Sequence, residues 1–386
     1  MVKVAEVVAA ALLIAGTAVG VGILGLPVQV GMAGLLPAMV GLSVGLVLMY
    51  ISGMVIAEAY VQSENKDADF PSLAEYILGK PGKYLVIIGY MIIFWGLLIA
   101  YYSAGTSILL YIMPFSLPRW LALLLFFSPI TAILFYSFKY VLRFNAVIMI
   151  LLMASFATLL IICSHGIELE RYNNISWSLL PGTLPIILCT LAYQNTIPAI
   201  CQRFKGDIKQ IRYVIISGLA LIGLICLLWL TTVIGALPLE GNTSIHSALI
   251  ANQPATIPLT ETLNSHWVTL TGIFFSIAAI ATSYISISFG MLRFFQDVLP
   301  LKNNNKNVFG SAILVFIPPV IVSLICPNIF LKAMDIVGGV GVVILFGIIP
   351  SLMLIKQHQR RSTTLLGFVV LLAFLAILGL EIFRKL

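Results

Sequence analysis

The sequence predicts an all-helical polytopic membrane protein of about eleven transmembrane helices, arranged as two inverted five-helix repeats plus one C-terminal helix. Three observations predict it. Of the 386 residues, 61% are hydrophobic and 9% charged, where soluble domains carry about 25% charged residues. Apolar runs long enough to span a bilayer follow one another from end to end, and the mean hydropathy is +1.10. Residues that break helices interrupt the first and the sixth run, five spans apart, at matching positions of the two halves.

The runs lie at about 5–32, 35–60, 83–113, 119–136, 144–164, 181–201, 213–235, 266–295, 308–326, 333–355 and 364–383. They read as one transmembrane domain over residues 1–386: repeat one at about 5–164, repeat two at about 181–355, and an extra helix at about 364–383. Because each repeat has an odd number of spans, successive repeats enter the membrane from opposite sides. Two connections exceed a simple turn. Asp69-Phe70-Pro71-Ser72 leads into an apolar stretch with Ser72 as the expected cap and Glu75 three residues on, which predicts a short interfacial helix. The polar segment 236–265, with Pro238, Pro254 and Pro258, predicts an extracellular lid rather than a span.

A net charge of +7 would point to nucleic acid in a soluble protein. Here the basic residues sit in short loops between apolar runs, so they set orientation instead, and nucleic acid is not an expected partner. Sixteen of the 21 Lys and Arg fall on one side of the proposed spans, among them Lys80, Lys83, Lys139, Arg143, Arg203, Lys209 and Lys356. That side is cytoplasmic by the positive-inside bias, which puts the N-terminus in the cytoplasm and the C-terminus outside an inner membrane. The first apolar stretch runs on past Pro27 with no cleavage site, so it is expected to stay in the mature protein. Cys163, Cys189, Cys201, Cys226 and Cys326 lack the spacing of a zinc or redox site and read as small apolar packers.

Four glycines and a proline fall within Gly16-Thr17-Ala18-Val19-Gly20-Val21-Gly22-Ile23-Leu24-Gly25-Leu26-Pro27. Relative to Ala, each Gly costs a helix about 1 kcal/mol and Pro about 3. The helix is expected to open near Gly20 to Gly22, freeing N–H groups on one side and carbonyls on the other, which in hydrocarbon must find partners. The two ends of a zwitterionic amino acid supply both. Thr17, Gly20, Val21 and Gly22 are therefore candidate substrate contacts. Close helix packing is the alternative use of such glycines, and it is the reading given to Gly41 and Gly45 in the second run. In the sixth run, Thr190-Leu191-Ala192-Tyr193-Gln194-Asn195-Thr196-Ile197-Pro198 places adjacent amides at mid-membrane, costly unless they face a polar cavity or mend a proline break. Tyr193, Gln194 and Asn195 join the candidates. So do Tyr101 and Tyr102, one of which is expected to face the substrate, since helical periodicity does not choose between neighbours.

In this order, these segments resemble the hydroxy and aromatic amino-acid permease family of the amino acid-polyamine-organocation superfamily. They are Gly16 to Pro27, Ala57-Glu58, Leu78-Gly79-Lys80, Ala100 to Gly105, Tyr193 to Pro198, Ala281 to Tyr284, and Gly338-Gly339 to Pro350. The resemblance covers nearly the whole chain. It implies the leucine-transporter fold and uptake of aromatic or small hydroxylated amino acids, usually with a proton. Family members often carry a His where Gln194 stands, so coupling through a titrating group there is not available to this chain. Related sodium-coupled transporters hold an ion between a hydroxyl pair of span eight and carbonyls of broken span one. The resemblance thereby implies a sodium position at Gly16, Val19, Ala279, Thr282 and Ser283. A second position in those relatives uses an Asn where Ile23 stands here.

No cofactor is expected beyond a coupling ion, Na+ or H+. The expected function is alternating-access, cation-coupled symport of a neutral L-amino acid, aromatic or hydrophobic, within a lipid bilayer. A membrane amino-acid sensor or receptor subunit on the same fold is the alternative. An intramembrane enzyme is excluded: the chain has no H-E-x-x-H, no pair of mid-span acids and no nucleophile with a base.

Overall fold

A computed structural model describes residues 4–18, 20–63, 68–135, 138–298, 305–357 and 361–385, and among them every regular element is helical. The first apolar run is two helices, α1 (Val4–Ala18) and α2 (Val21–Gly31), whose axes diverge by 59°. Gly20, extended at φ −133° and ψ −152°, stands between them, so the glycine cluster ends one helix and starts the next. α3 (Leu35–Gln62) follows, then α4 (Phe70–Leu78), α5 (Lys80–Ile112), α6 (Arg119–Leu134) and α7 (Phe138–Ser164). α4 is the expected short helix, but Asp69 rather than Ser72 caps it, its carboxylate accepting from the Ser72 N–H at 2.9 Å. A carboxylate at the N-terminus also opposes the helix dipole better than a hydroxyl.

The sixth run is likewise split, into α8 (Leu180–Thr190) and α9 (Ile197–Arg203), with an irregular passage between them that includes a single turn at Gln194–Thr196. α10 (Ile208–Ala236) leads to the segment read as a lid, which folds as two short helices, α11 (Ile245–Ala251) and α12 (Thr256–Leu263). Then come α13 (His266–Val298), α14 (Asn305–Ile325) and α15 (Phe330–Ile336). A π-helical stretch at Val337–Ile348, α16 (Ile349–Gln357) and α17 (Arg361–Lys385) complete the chain. Eight helical stretches among the described residues are long and apolar enough to cross a membrane, counting Trp177–Arg203 and Phe330–Gln357 as one each, and the bent α1–α2 pair passes the same test as one span. The apolar stretches Arg119–Leu134 and Gly310–Ile325 are shorter than that test requires.

Small residues let these helices approach closely. A methyl group placed on Gly41 would stand 2.9 Å from side-chain carbons of Ile187 and Leu180, and one on Gly45 would stand 2.9 Å from Ile187 and Leu191. Those two glycines thus pack α3 onto α8, as expected of them. Gly338 does the same for the π stretch, where any side chain would strike the Pro185 carbonyl. The five cysteines are all free; Cys163, Cys201 and Cys226 are buried, and Cys326 is exposed.

Candidate functional site

The two interrupted helices meet break to break. A methyl group on Gly22 would lie 3.0 Å from the Thr190 hydroxyl and 3.2 Å from the Thr190 Cα, and one on Gly20 would overlap the Ser283 hydroxyl. Neighbouring elements fix each break in place. The buried indole of Trp229 on α10 donates to the Ile23 carbonyl at 2.7 Å, satisfying a group near the start of α2. At the other break the Gln194 side chain turns back on its own chain: its oxygen accepts from the Tyr193 N–H at 2.9 Å and its nitrogen lies 2.8 Å from Met49 Sδ. The Tyr193 hydroxyl donates to the Met49 carbonyl at 3.1 Å, in space that Gly53 leaves open.

A cavity of about 320 Å³ opens beside this junction, at the small end of the range for ligand sites. Gly16, Thr17, Gly20 and Gly22 line it from the first break, and Thr190, Ala192 and Asn195 from the second. Thr282, Ser283, Ser286 and Ile287 face it from α13; Tyr90, Phe94 and Tyr101 face it from α5. The π stretch adds Val342 and Phe346. Leu12 and Leu13, 56% and 51% exposed, border it, as do Asn145 and Met149 near the start of α7. Hydrogen bonds fasten the 255–260 segment to its neighbours. The Ala255 N–H donates to the Leu24 carbonyl at 2.9 Å, Thr256 and Ser276 share a hydrogen bond of 2.7 Å, and Tyr111 and Thr260 share one of 3.1 Å.

Of the residues singled out in the sequence, the cavity gathers Gly16, Thr17, Gly20, Gly22, Tyr101, Asn195, Thr282 and Ser283. Others lie apart from it. Tyr102 is buried in a hydroxyl and ring cluster, sharing a hydrogen bond of 3.1 Å with Tyr284 and an edge contact with Phe127. Tyr193 and Gln194 support their break from behind, which is the mending role weighed for the amides. Val21 opens α2, Ala279 lies buried within α13, and Val19 is outside the described residues. The Thr282 hydroxyl donates within its own helix, 2.9 Å from the Ala278 carbonyl and 3.2 Å from that of Ala279. Its oxygen lone pairs are left for another partner. Among the described residues no group of His, Cys, Asp or Glu is arranged to hold a metal.

The cavity also uses residues that the sequence did not mark. Tyr90, Phe94, Phe346 and Gly290 are unremarkable in so apolar a chain, and Cys189 faces the cavity although it was read as a packer. Asn145 carried the one available signal, an amide near the start of an apolar run. Its carbonyl oxygen is buried with no hydrogen-bond partner among the described residues.

A bundle of long apolar helices with a cavity where two broken helices abut is the architecture of a polytopic membrane protein. The chain belongs to the tryptophan/tyrosine permease family, whose model matches residues 3–380. It is similar to the tyrosine-specific transport system 1 of Haemophilus influenzae, 25% identical over 342 residues, or 86% of this chain and 84% of the relative. It is 26% identical over 376 residues to a tryptophan-specific transport protein of Pseudomonas aeruginosa, covering 92% of this chain and 87% of that one. The low affinity tryptophan permease of Escherichia coli matches over a shorter stretch, 27% over 181 residues and 46% of this chain. Family membership makes this chain a permease and not an enzyme.

Proposed function

We propose that this permease carries aromatic L-amino acids, tryptophan or tyrosine, across an inner membrane by alternating access, coupled to a cation. One observation supports the reading above all: the direct abutment of Gly22 and Thr190 at the head of the cavity. Where two helices break against each other, backbone N–H groups and carbonyls are within reach of one small ligand, and helix termini offer a carboxylate and an ammonium their opposite partial charges. Tyr90, Phe94 and Phe346 give the cavity aromatic walls for a ring. The names of the relatives agree with that substrate class.

The eleven-span arrangement of two inverted repeats with a leucine-transporter fold is part of this proposal, supported by the breaks in the first and sixth runs. With the N-terminus in the cytoplasm, the α11–α12 segment stands on the outer side of the two breaks, which suits an inward-facing state. For the coupling ion we favour sodium held by Thr282 and Ser283 with carbonyls of Gly16 and Val19. The free lone pairs of Thr282 and the contact of Ser283 with the first break support it. Counterflow of radiolabelled tryptophan and tyrosine in proteoliposomes tests the function. Accumulation against preloaded unlabelled substrate is expected. Saturable binding without counterflow would favour a sensor instead.

A further inference from the structure

We propose that Gly290 sets the depth of the cavity's aromatic end and admits a bicyclic side chain, making it the residue that separates tryptophan from single-ring amino acids. The inference rests on the permease reading above. Most glycines here have a packing reason. On α5, a methyl at Gly89 would stand 3.1 Å from Leu345, and one at Gly105 would stand 2.8 Å from Phe127. At Gly290 the nearest atom to such a methyl is Phe94 Cζ, at 4.0 Å, an ordinary contact. Its backbone conformation requires no glycine either, since among the described residues the positive-φ glycines are Gly34, Gly79, Gly206 and Gly241. This helix-interior glycine, which costs about 1 kcal/mol relative to Ala, therefore has no packing contact that demands it, and unlike Gly310 and Gly379, which also lack one, it lines the cavity.

Position says what that space is for. Ser283 touches the first break, and Ile287 and Gly290 follow it on the same face of α13, Gly290 about 10 Å further along the helix axis. Beside Gly290, Tyr90 and Phe94 stack with centroids 5.4 Å apart, and Phe346 meets Tyr90 edge-on at 6.4 Å. An amino acid held by its backbone groups at the break extends its side chain along this line. A single ring ends near Ile287. The fused second ring of an indole continues over Gly290, against the face and edges of the aromatic wall.

The test is equilibrium binding of radiolabelled tryptophan to the purified full-length protein, with tyrosine and phenylalanine as competitors, for the wild type and for Gly290→Ala, Gly290→Val and Gly290→Leu. The graded series is expected to weaken tryptophan progressively, by at least about tenfold for Leu, with phenylalanine and tyrosine changed less than about threefold. Equal losses for all three ligands, or none for any, would overturn the proposal. Should the larger variants not be recovered monodisperse, Gly290→Cys in a chain lacking Cys189 and Cys326 decides it. Thiol labelling there is expected to be blocked by tryptophan and not by phenylalanine, and equal protection by both would overturn the proposal. A wild type that binds no aromatic amino acid would instead overturn the substrate reading on which this one rests.

Discussion

Tyr101 and Tyr102 show how much one residue's direction decides. Tyr101 lines the cavity, whereas Tyr102 is spent on Tyr284 and Phe127. Tyr101→Phe is expected to weaken substrate binding by about 0.5–1.5 kcal/mol, roughly twofold to tenfold, without loss of stability. Tyr102→Phe is expected to lower the melting temperature and leave affinity unchanged; binding isotherms and thermal unfolding of the two variants separate these outcomes. The sequence could not make this choice, because neighbours on a helix differ by about 100° and both faces of a membrane helix are apolar. It was equally silent on Gln194 and Asn195, adjacent amides of which one turns back to its own backbone and the other lines the cavity. Gly20 and Gly22 were legible for the opposite reason: glycine's low helix propensity acts locally and needs no knowledge of neighbours.

At the scale of the element, the two breaks are held by partners drawn from helices that do not break. Trp229→Phe removes the donor to the Ile23 carbonyl while keeping most of the ring packing. Leaving that buried acceptor unsatisfied is expected to cost about 1–3 kcal/mol. The loss should appear in thermal stability measured without substrate, and added substrate should recover part of it. The α11–α12 segment is fastened differently, by hydroxyl pairs on α12. Thr256→Val breaks the pair with Ser276 and is expected to loosen α12 from α13, read as faster labelling of a cysteine introduced at Ile273. The proline-rich composition of 236–265 marked this segment as a connection, but its two short helices and the packing of α11 on α2 come from tertiary structure. The π-helical stretch at Val337–Ile348 was not legible either, since its glycines are set by what they pack against: Pro185 at Gly338 and Phe374 at Gly347.

For the whole molecule, hydropathy alone locates the apolar helices, because a bilayer demands a long apolar run of most spans, although Arg119–Leu134 and Gly310–Ile325 are shorter. What hydropathy does not contain is which helix faces which, so the aromatic end of the cavity, assembled from α5, α13 and the π stretch, emerged only in three dimensions. Two expectations belong to this scale. Given the distribution of basic residues, a reporter fused after Leu386 should read as periplasmic and one inserted at residues 302–306 as cytoplasmic; a cytoplasmic C-terminal signal would dismantle the inverted repeat. Coupling is tested with liposomes carrying a sodium or a pH gradient alone. Thr282→Ala is expected to raise the sodium requirement roughly 10- to 150-fold, corresponding to about 1.5–3 kcal/mol for one lost oxygen on a cation. Full uptake on a pH gradient without sodium would refute that assignment. The claim on which the rest depends is that substrate sits where the two breaks meet, and equilibrium binding of radiolabelled tryptophan and tyrosine to purified wild type and Gly22→Leu tests it most directly. A leucine there must push into Thr190, so saturable binding by the wild type and none by an inserted, monodisperse variant is the expected result. Unchanged affinity in Gly22→Leu would place the substrate elsewhere and reduce these glycines to helix packing.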